Sequence, residues 1–331
     1  MSQESRSPNP RQLGDSCLVA SREELGRIRL RRKDRHDFLH RLSTNDILAL
    51  KPGEGRLTAL LNPKGRLLDL LQVLVLEEEM LVITSEGAGE KVLSWLEAYH
   101  FREEVEIEPC ESDCLGLYGE KARSLLARLS GEEVPAVSYG HNRMLTLAGV
   151  RARLAGSFPL AGAGFFLLAP SGSAPVLRDA LQAAGAQGAS RDLLEALRVA
   201  AGVPAWGREL TEDFNPWEAG LDAAISLAKG CYVGQEIVAR IHTYKKLQRR
   251  LSGLAIEGSV APPPGSAVLH ESKQVATLTS AAVSPFSGKP IGLAFLPLPL
   301  VGVSQTLEIR SDSSPRPARV VSLPFLSSQR S

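Results

Sequence analysis

The chain has 331 residues, too many for one small core and enough for about two or three domains. Its 44% hydrophobic and 23% charged residues are those of an ordinary globular protein, and 38 Lys and Arg against 37 Asp and Glu leave no overall basic footprint for nucleic acid. The most apolar run, Pro290 to Val303, is broken by prolines and too short to span a bilayer.

Residues 1–15 are polar and rich in Pro and Ser, with no apolar h-region, and predict a disordered tail instead of a signal peptide. From Leu25 to Glu108, strand-like and helix-like runs alternate. "GRIRLR" predicts a strand, and "DRHDFLHRLS" a helix with Asp34 as N-cap and Phe38, Leu39 and Leu42 on one face. "RLLDLLQVLVL" and "MLVITSE" read as strands, and "GEKVLSWLEAYH" as an amphipathic helix.

From Cys114 to Arg240 the mixed texture repeats. Helices are expected at "KARSLLARL", "APVLRDALQAAG" and "RDLLEALRVAAG", the last bounded by Ser190 as N-cap and Gly202 beyond its end, with Pro204 following. After Leu251, short strand-like segments separated by Gly, Pro and Ser predict a small all-β barrel or sandwich of roughly 75 residues. The expected division is a tail over 1–15, a body over 16–248 and a β domain over 249–326.

Cys17, Cys110, Cys114 and Cys231 are few and irregularly spaced, which fits a reducing cytoplasm better than a disulfide framework. Cys110 and Cys114 form a C-x3-C pair read as incidental, so no metal site is expected. Cys231 differs in its neighbours: Lys229 and Gly230 precede it, and Tyr232, Gly234, Gln235 and Glu236 follow. A helix beginning near Gly234 or Gln235 would set the thiol just before exposed N–H groups, and Lys229 adds positive charge; both favour a thiolate. Gly230 and Gly234 permit backbone angles or a close approach that other residues resist. The plainer alternative is a small apolar residue packed in a tight turn.

"KGCYVGQE" (Lys229 to Glu236) resembles the signature of the YgfZ family, folate-binding proteins related to the glycine cleavage T-protein. "FLHRLSTNDI", "LLNPKGRLLDL", "LRVAAGVPAWGREL" and "NPWEAGL" resemble further family segments, so the likeness runs from Leu25 to Phe325. It implies an α+β fold: two interleaved α+β domains and a C-terminal β-barrel, in a cloverleaf around a central cavity for tetrahydrofolate. It also implies a role in assembly or repair of iron–sulfur clusters in client enzymes, with an indirect effect on tRNA modification. The partners implied are folate and those clients or assembly proteins, with the chain a cytoplasmic monomer that binds neither membrane nor, directly, nucleic acid.

Departures from the T-protein qualify its transferase chemistry. Where the T-protein carries a glutamate that accepts the adjacent N–H donors of the pterin, this chain has Ala200. Cys231 stands at an arginine of the T-protein, and Leu68 followed by Asp69 at its consecutive aspartates. Catalytic turnover stays open, and folate-dependent aminomethyl transfer is the alternative function. Asp69 is the candidate carboxylate facing folate, or else a solvent-facing strand residue. Lys64, Arg66 and Arg102 are candidates for the anionic folate tail, against a reading as solvated surface charges. Glu236 and Arg240 have the spacing of a helix brace, and His242 could reach the thiol only if its helix bent back. A third class, direct RNA or protein binding, has only the local cluster "YKKLQRR" (Tyr244 to Arg250) behind it, read as a solvated linker.

Overall fold

The computed structural model describes residues 16–135, 139–302, 306–310 and 315–325; the expected N-terminal tail over 1–15 lies outside them. The first tract comprises β1 (Leu18–Ser21), β2 (Leu25–Arg31), α1 (Arg35–Leu42), β3 (Gly55–Leu61), β4 (Leu67–Val75), β5 (Glu79–Glu86), α2 (Gly89–Ala98) and β6 (Glu106–Pro109). The second comprises β7 (Asp113–Tyr118), α3 (Ala122–Ser130), β8 (Asn142–Leu147), β9 (Val150–Gly156), β10 (Gly164–Ala169), α4 (Ala174–Ala183), β11 (Gln187–Gly188), α5 (Arg191–Ala201) and α6 (Gln235–Thr243). The third is all β: β12 (Arg249–Ile256), β13 (Ala267–His270), β14 (Lys273–Val283), β15 (Pro290–Pro297), β16 (Thr306–Arg310) and β17 (Arg316–Val321).

Two sheets form the body. One has the order β3-β4-β5-β2-β6 and the other β11-β1-β7-β10-β9-β8. The pairings are antiparallel except that of β1 with β11. β1 belongs to the second sheet and β2 to the first, so the chain starts one unit, builds the other and returns; this is the interleaving the sequence likeness implied. Helices α1 and α2 supply Phe38, Leu39, Leu42, Val92 and Leu96 to a core against the first sheet. Leu125, Leu126, Leu177 and Leu181 of α3 and α4 do the same for the second. Every residue of β4 is buried, so its apolar run is that of a strand covered on both faces, with Asp69 and Gln72 as its polar exceptions.

Two helix ends show how local sequence acts. Ser190 Oγ accepts a hydrogen bond from Leu193 N at 3.2 Å, and Gly202 adopts φ 70° at the other end of α5, both as read from the sequence. Asp34 does hold the N-cap position of α1, but it does not cap the helix. Its carboxylate accepts from Glu104 N at 2.8 Å instead, tying the helix to the approach of β6.

The C-terminal strands close into a six-stranded barrel, β12-β15-β14-β13-β16-β17. It docks on the body through stacked Phe214 and Phe295 rings, with the Arg249 guanidinium 4.6 Å from the Phe214 centroid and 3.0 Å from Glu218. Among the described residues no helix is long and apolar enough to cross a membrane.

Candidate functional site

Where the two sheets meet, they leave a cavity of about 550 Å³. Gln72, Tyr118 and Phe166 wall it from the sheets, Phe158 from the connection between β9 and β10, Arg22 and Glu24 from the link between β1 and β2, and α5 with the segment after it closes the remaining side. The barrel contributes no lining residue; it backs the cavity wall through Ser280, which accepts from Arg198, and through Phe286, packed in the cluster that holds Tyr118 and Leu160.

The polar side of the cavity is an ordered network. Arg198 forms a fork on Glu195, Nε and Nη2 each donating at 2.8 Å, and Arg208 Nη1 donates to the same carboxylate at 2.5 Å. Burial alone would raise the Glu195 pKa, but the two guanidiniums outweigh it and hold the carboxyl below its ordinary range. One turn on, Arg198 meets the fully buried Glu209 at 3.3 Å, and Glu209 accepts from Ser280 Oγ at 2.7 Å and from Ala205 N at 3.0 Å. On the opposite wall Arg22 binds Glu24 at 2.5 Å and donates to Tyr118 Oη at 2.8 Å. Arg191 on the rim pairs with Glu86, so four arginines of the lining are held by carboxylates, a setting for a ligand with both a planar ring and negative charge.

Asp69 is not the solvent-facing residue of the plain reading: it is fully buried. Its Oδ2 accepts from Ser85 N at 3.0 Å, whereas Oδ1 is buried without a partner. Burial pushes its pKa up to about 6, against partial relief from the hydrogen bond to Ser85. The residue does not itself line the cavity, but Leu70, Gln72 and Ser85 around it do.

The other sequence candidates lie elsewhere. Lys64 and Arg102 are exposed, and Arg66 is drawn to Asp213 O at 3.0 Å and Glu218 at 3.6 Å; none of the three lines the cavity. The cations that do, Arg22, Arg191, Arg198 and Arg208, went unassigned in the sequence because the chain brings them together from distant segments. A polar stripe of Arg191, Glu195 and Arg198 along α5 was the one signal that could have found them.

The segment Lys229–Glu236 packs on the edge of the first sheet, between the turn after α1 and the β3–β4 turn. Ser226 N donates to Thr44 O at 3.0 Å, Val233 N to Arg41 O at 3.3 Å, and Gly234 lies against Asn62 and Gly65. Gly234 caps α6 with φ 82°, and a Cβ there would lie 2.8 Å from Asn62 O, so both the angle and the space call for glycine. Tyr232 is buried in the core, and Gln235 Nε2 donates to Gly230 O at 3.4 Å.

Cys231 is exposed, unlike buried Cys17 and Cys114 and half-buried Cys110, and all four are free thiols. It does not open into the cavity, since neither it nor its neighbours line that space. Lys229 is not turned to the thiol either: its Nζ donates to His40 O and, at 2.6 Å, to Ser43 O, clamping the loop to the end of α1. Burial lowers the Lys229 pKa to about 8. Glu236 and Arg240 form no ion pair with each other among the described residues, and His242 stacks on Trp217 at 5.1 Å instead of bending toward the thiol. Ala200 is fully buried in the core.

A two-unit α+β body closed around a cavity and followed by a six-stranded barrel is the architecture of the glycine cleavage T-proteins. The chain belongs to that family: residues 11–229 match the GCVT N-terminal domain, and residues 249–326 the glycine cleavage T-protein C-terminal barrel domain. It is 30% identical over 318 residues to a chloroplastic protein of Arabidopsis thaliana named as a putative transferase, covering 95% of this chain and 72% of that protein. An aminomethyltransferase of Desulforamulus reducens is 29% identical over 313 residues, covering 91% and 84%. The crystal structure of aminomethyltransferase T of the Bartonella henselae glycine cleavage system superposes with a TM-score of 0.84 over 96% of this chain and 88% of that one, at 20% identity, a likeness of fold.

Proposed function

We propose that this chain is a YgfZ-like member of the family: it binds a reduced folate in the cavity and serves in assembly or repair of iron–sulfur clusters in client enzymes, through Cys231. The observation that carries the reading is the state of the cysteines. The one thiol left exposed is the one held in a glycine-bracketed loop at the start of a helix, while Cys17 and Cys114 are buried as packing.

The cavity residues fit a folate. Tyr118, Phe158, Phe166 and Trp206 offer faces for the pterin and aryl rings, Gln72 and Glu195 offer acceptors, and Arg191 and Arg208 suit an anionic tail. Asp69 stays one layer behind this wall and supports it through Ser85, whose N–H donates to its Oδ2. A bound reduced folate supplies nitrogens able to carry one-carbon units. The buried Ala200 leaves its place on α5 without a carboxylate, which favours folate binding without aminomethyl transfer.

The test joins calorimetric titration with tetrahydrofolate, glycine-cleavage reconstitution, and complementation of a strain lacking the native protein. The expected result is binding without transfer, with Cys231→Ser folded and binding folate but failing to complement. Formation of methylenetetrahydrofolate from the aminomethylated carrier would overturn the reading in favour of a transferase.

A further inference from the structure

The basic run Tyr244 to Arg250, read from the sequence as a solvated linker, divides in two in the structure. Arg249 is held by Glu218 at 3.0 Å and Arg250 by Asp222 at 2.8 Å, where the chain enters the barrel. Lys245 and Lys246 are exposed and meet no carboxylate among the described residues, and neither does Arg240, exposed before them on α6. Lys246 Nζ instead lies 5.6 Å from the centroid of the Tyr244 ring, which is itself 65% exposed. Lys245 holds φ 50°, a left-handed angle that glycine or asparagine would adopt at less cost. No contact within the chain accounts for a lysine at that position.

The other end of α6 carries apolar surface. Leu227 and Leu48 are 54% and 52% exposed. Both border the turn after α1: Ser226 N donates to Thr44 O at 3.0 Å, and Leu48 N donates to His40 Nδ1 at 3.4 Å. Between the two ends, Glu236, Arg240 and Thr243 are exposed at the spacing of one helix face, with Glu236 its single acid. The helix separates the ends by about 14 Å, well inside the footprint of an ordinary protein interface.

We propose that this face, from Leu48 and Leu227 along α6 to Tyr244, Lys245 and Lys246, docks a partner protein that brings an acidic surface beside an apolar one. The leucines and the tyrosine are its anchors, and the cations its charged rim. Charge selects the partner: Arg240, Lys245 and Lys246 against Glu236 leave a net positive edge, which an acidic surface neutralises and a basic one repels. Nucleic acid fits less well, since so few cations make few phosphate contacts and the exposed leucines find no counterpart on a phosphate backbone. None of these residues lines the cavity, so the face goes beyond the folate-binding reading and does not depend on a reactive Cys231.

Benzoylphenylalanine placed at Leu227 or at Tyr244 of the full chain, and irradiated in host cells, reads the occupant. Val176, 50% exposed on α4, is the control position. The expected result is one dominant protein adduct, shared by Leu227 and Tyr244 and absent at Val176. That protein, purified, is then titrated against the wild-type chain, against Lys245→Glu combined with Lys246→Glu, and against Leu227→Asp, with melting curves of each. Both variants should melt as wild type and bind about tenfold more weakly; added salt should weaken the wild-type complex far more than the charge-reversed one. Equal affinities in folded variants, no adduct, or the same adducts at Val176 overturn the docking face. So does an adduct removed by ribonuclease, which would mean RNA, or one formed with a second copy of this chain. Full complementation by Cys231→Ser would sink the thiol reading and leave this measurement untouched.

Discussion

Replacing Asp69 with asparagine probes a carboxyl that burial penalises. The carboxyl is fully buried, with Oδ2 on Ser85 N and Oδ1 on nothing. Burial lifts its pKa from the ordinary 3.8 to about 6, which corresponds to an ionisation penalty of about 3 kcal/mol at neutral pH. The folded value exceeds the unfolded one, so between them the native chain holds a proton that the unfolded chain has lost. Its contribution is therefore intact below about pH 4 and drains away as pH rises through about 6. Asparagine does not titrate. Its amide hydrogens, facing the same empty place as Oδ1, displace the variant's stability curve by a similar amount at every pH, so the slope and not the offset reports the charge. Urea unfolding followed by tryptophan fluorescence, from about pH 4 to about pH 8, should show the variant gaining about 3 kcal/mol on wild type across that range. Parallel curves, or wild type gaining on the variant with pH, would refute the buried ionised carboxylate. A charge kept at this expense in a wall behind a cavity is a mark of a functional site.

Arg198→Met should cost about 3 kcal/mol in urea unfolding, because Glu209 stays buried without its guanidinium, and adding Glu209→Gln should restore most of that; a near-neutral single variant would mean that Ser280 and Ala205 N satisfy the carboxylate by themselves. Gly234→Ala should destabilise by about 1–2 kcal/mol, whereas Gly230→Ala four residues earlier should leave the melting temperature unchanged, since only Gly234 combines φ 82° with a carbonyl in the way of a Cβ. Equal melts for the two alanine variants would contradict that contrast.

Much of the fold could be read from local pattern. The barrel strands are short and punctuated by Gly and Pro, β16 and β17 alternating buried with more open positions, and the limits of α5 follow from Ser190 and Gly202. The second sheet was harder. "VRARLAG" and "GFFLLA" carry the signal of β9 and β10, but β1 is four residues long and joins β7, almost a hundred residues later, so no local window reveals which sheet it serves. The site divides in the same way. Cys231 and the helix entrance at Gly234 are local facts and were visible. The direction of Lys229 was not, because its acceptors, His40 O and Ser43 O, lie nearly two hundred residues upstream. The resemblance to a folate-binding family drew Lys64, Arg66 and Arg102 toward an anionic tail, yet charge alone says nothing about which surface a residue faces. Asp69 could be suspected from its place in an apolar strand, but that one of its oxygens lacks a partner depends on how β4 and β5 part near Ser85.

Helix α5 has cavity on one flank and barrel on the other. Glu195 faces the ligand space, and three residues on, Arg198 holds both Glu195 and Ser280 of β14. The two flanks thus share one side chain: a ligand that held Glu195 more tightly with Arg198 seated on Ser280 would favour the docked barrel by the same factor by which the docked barrel favoured the ligand. Such a molecule, lying between the sheets, would be sensed at a strand it never touches, through the arms of one guanidinium.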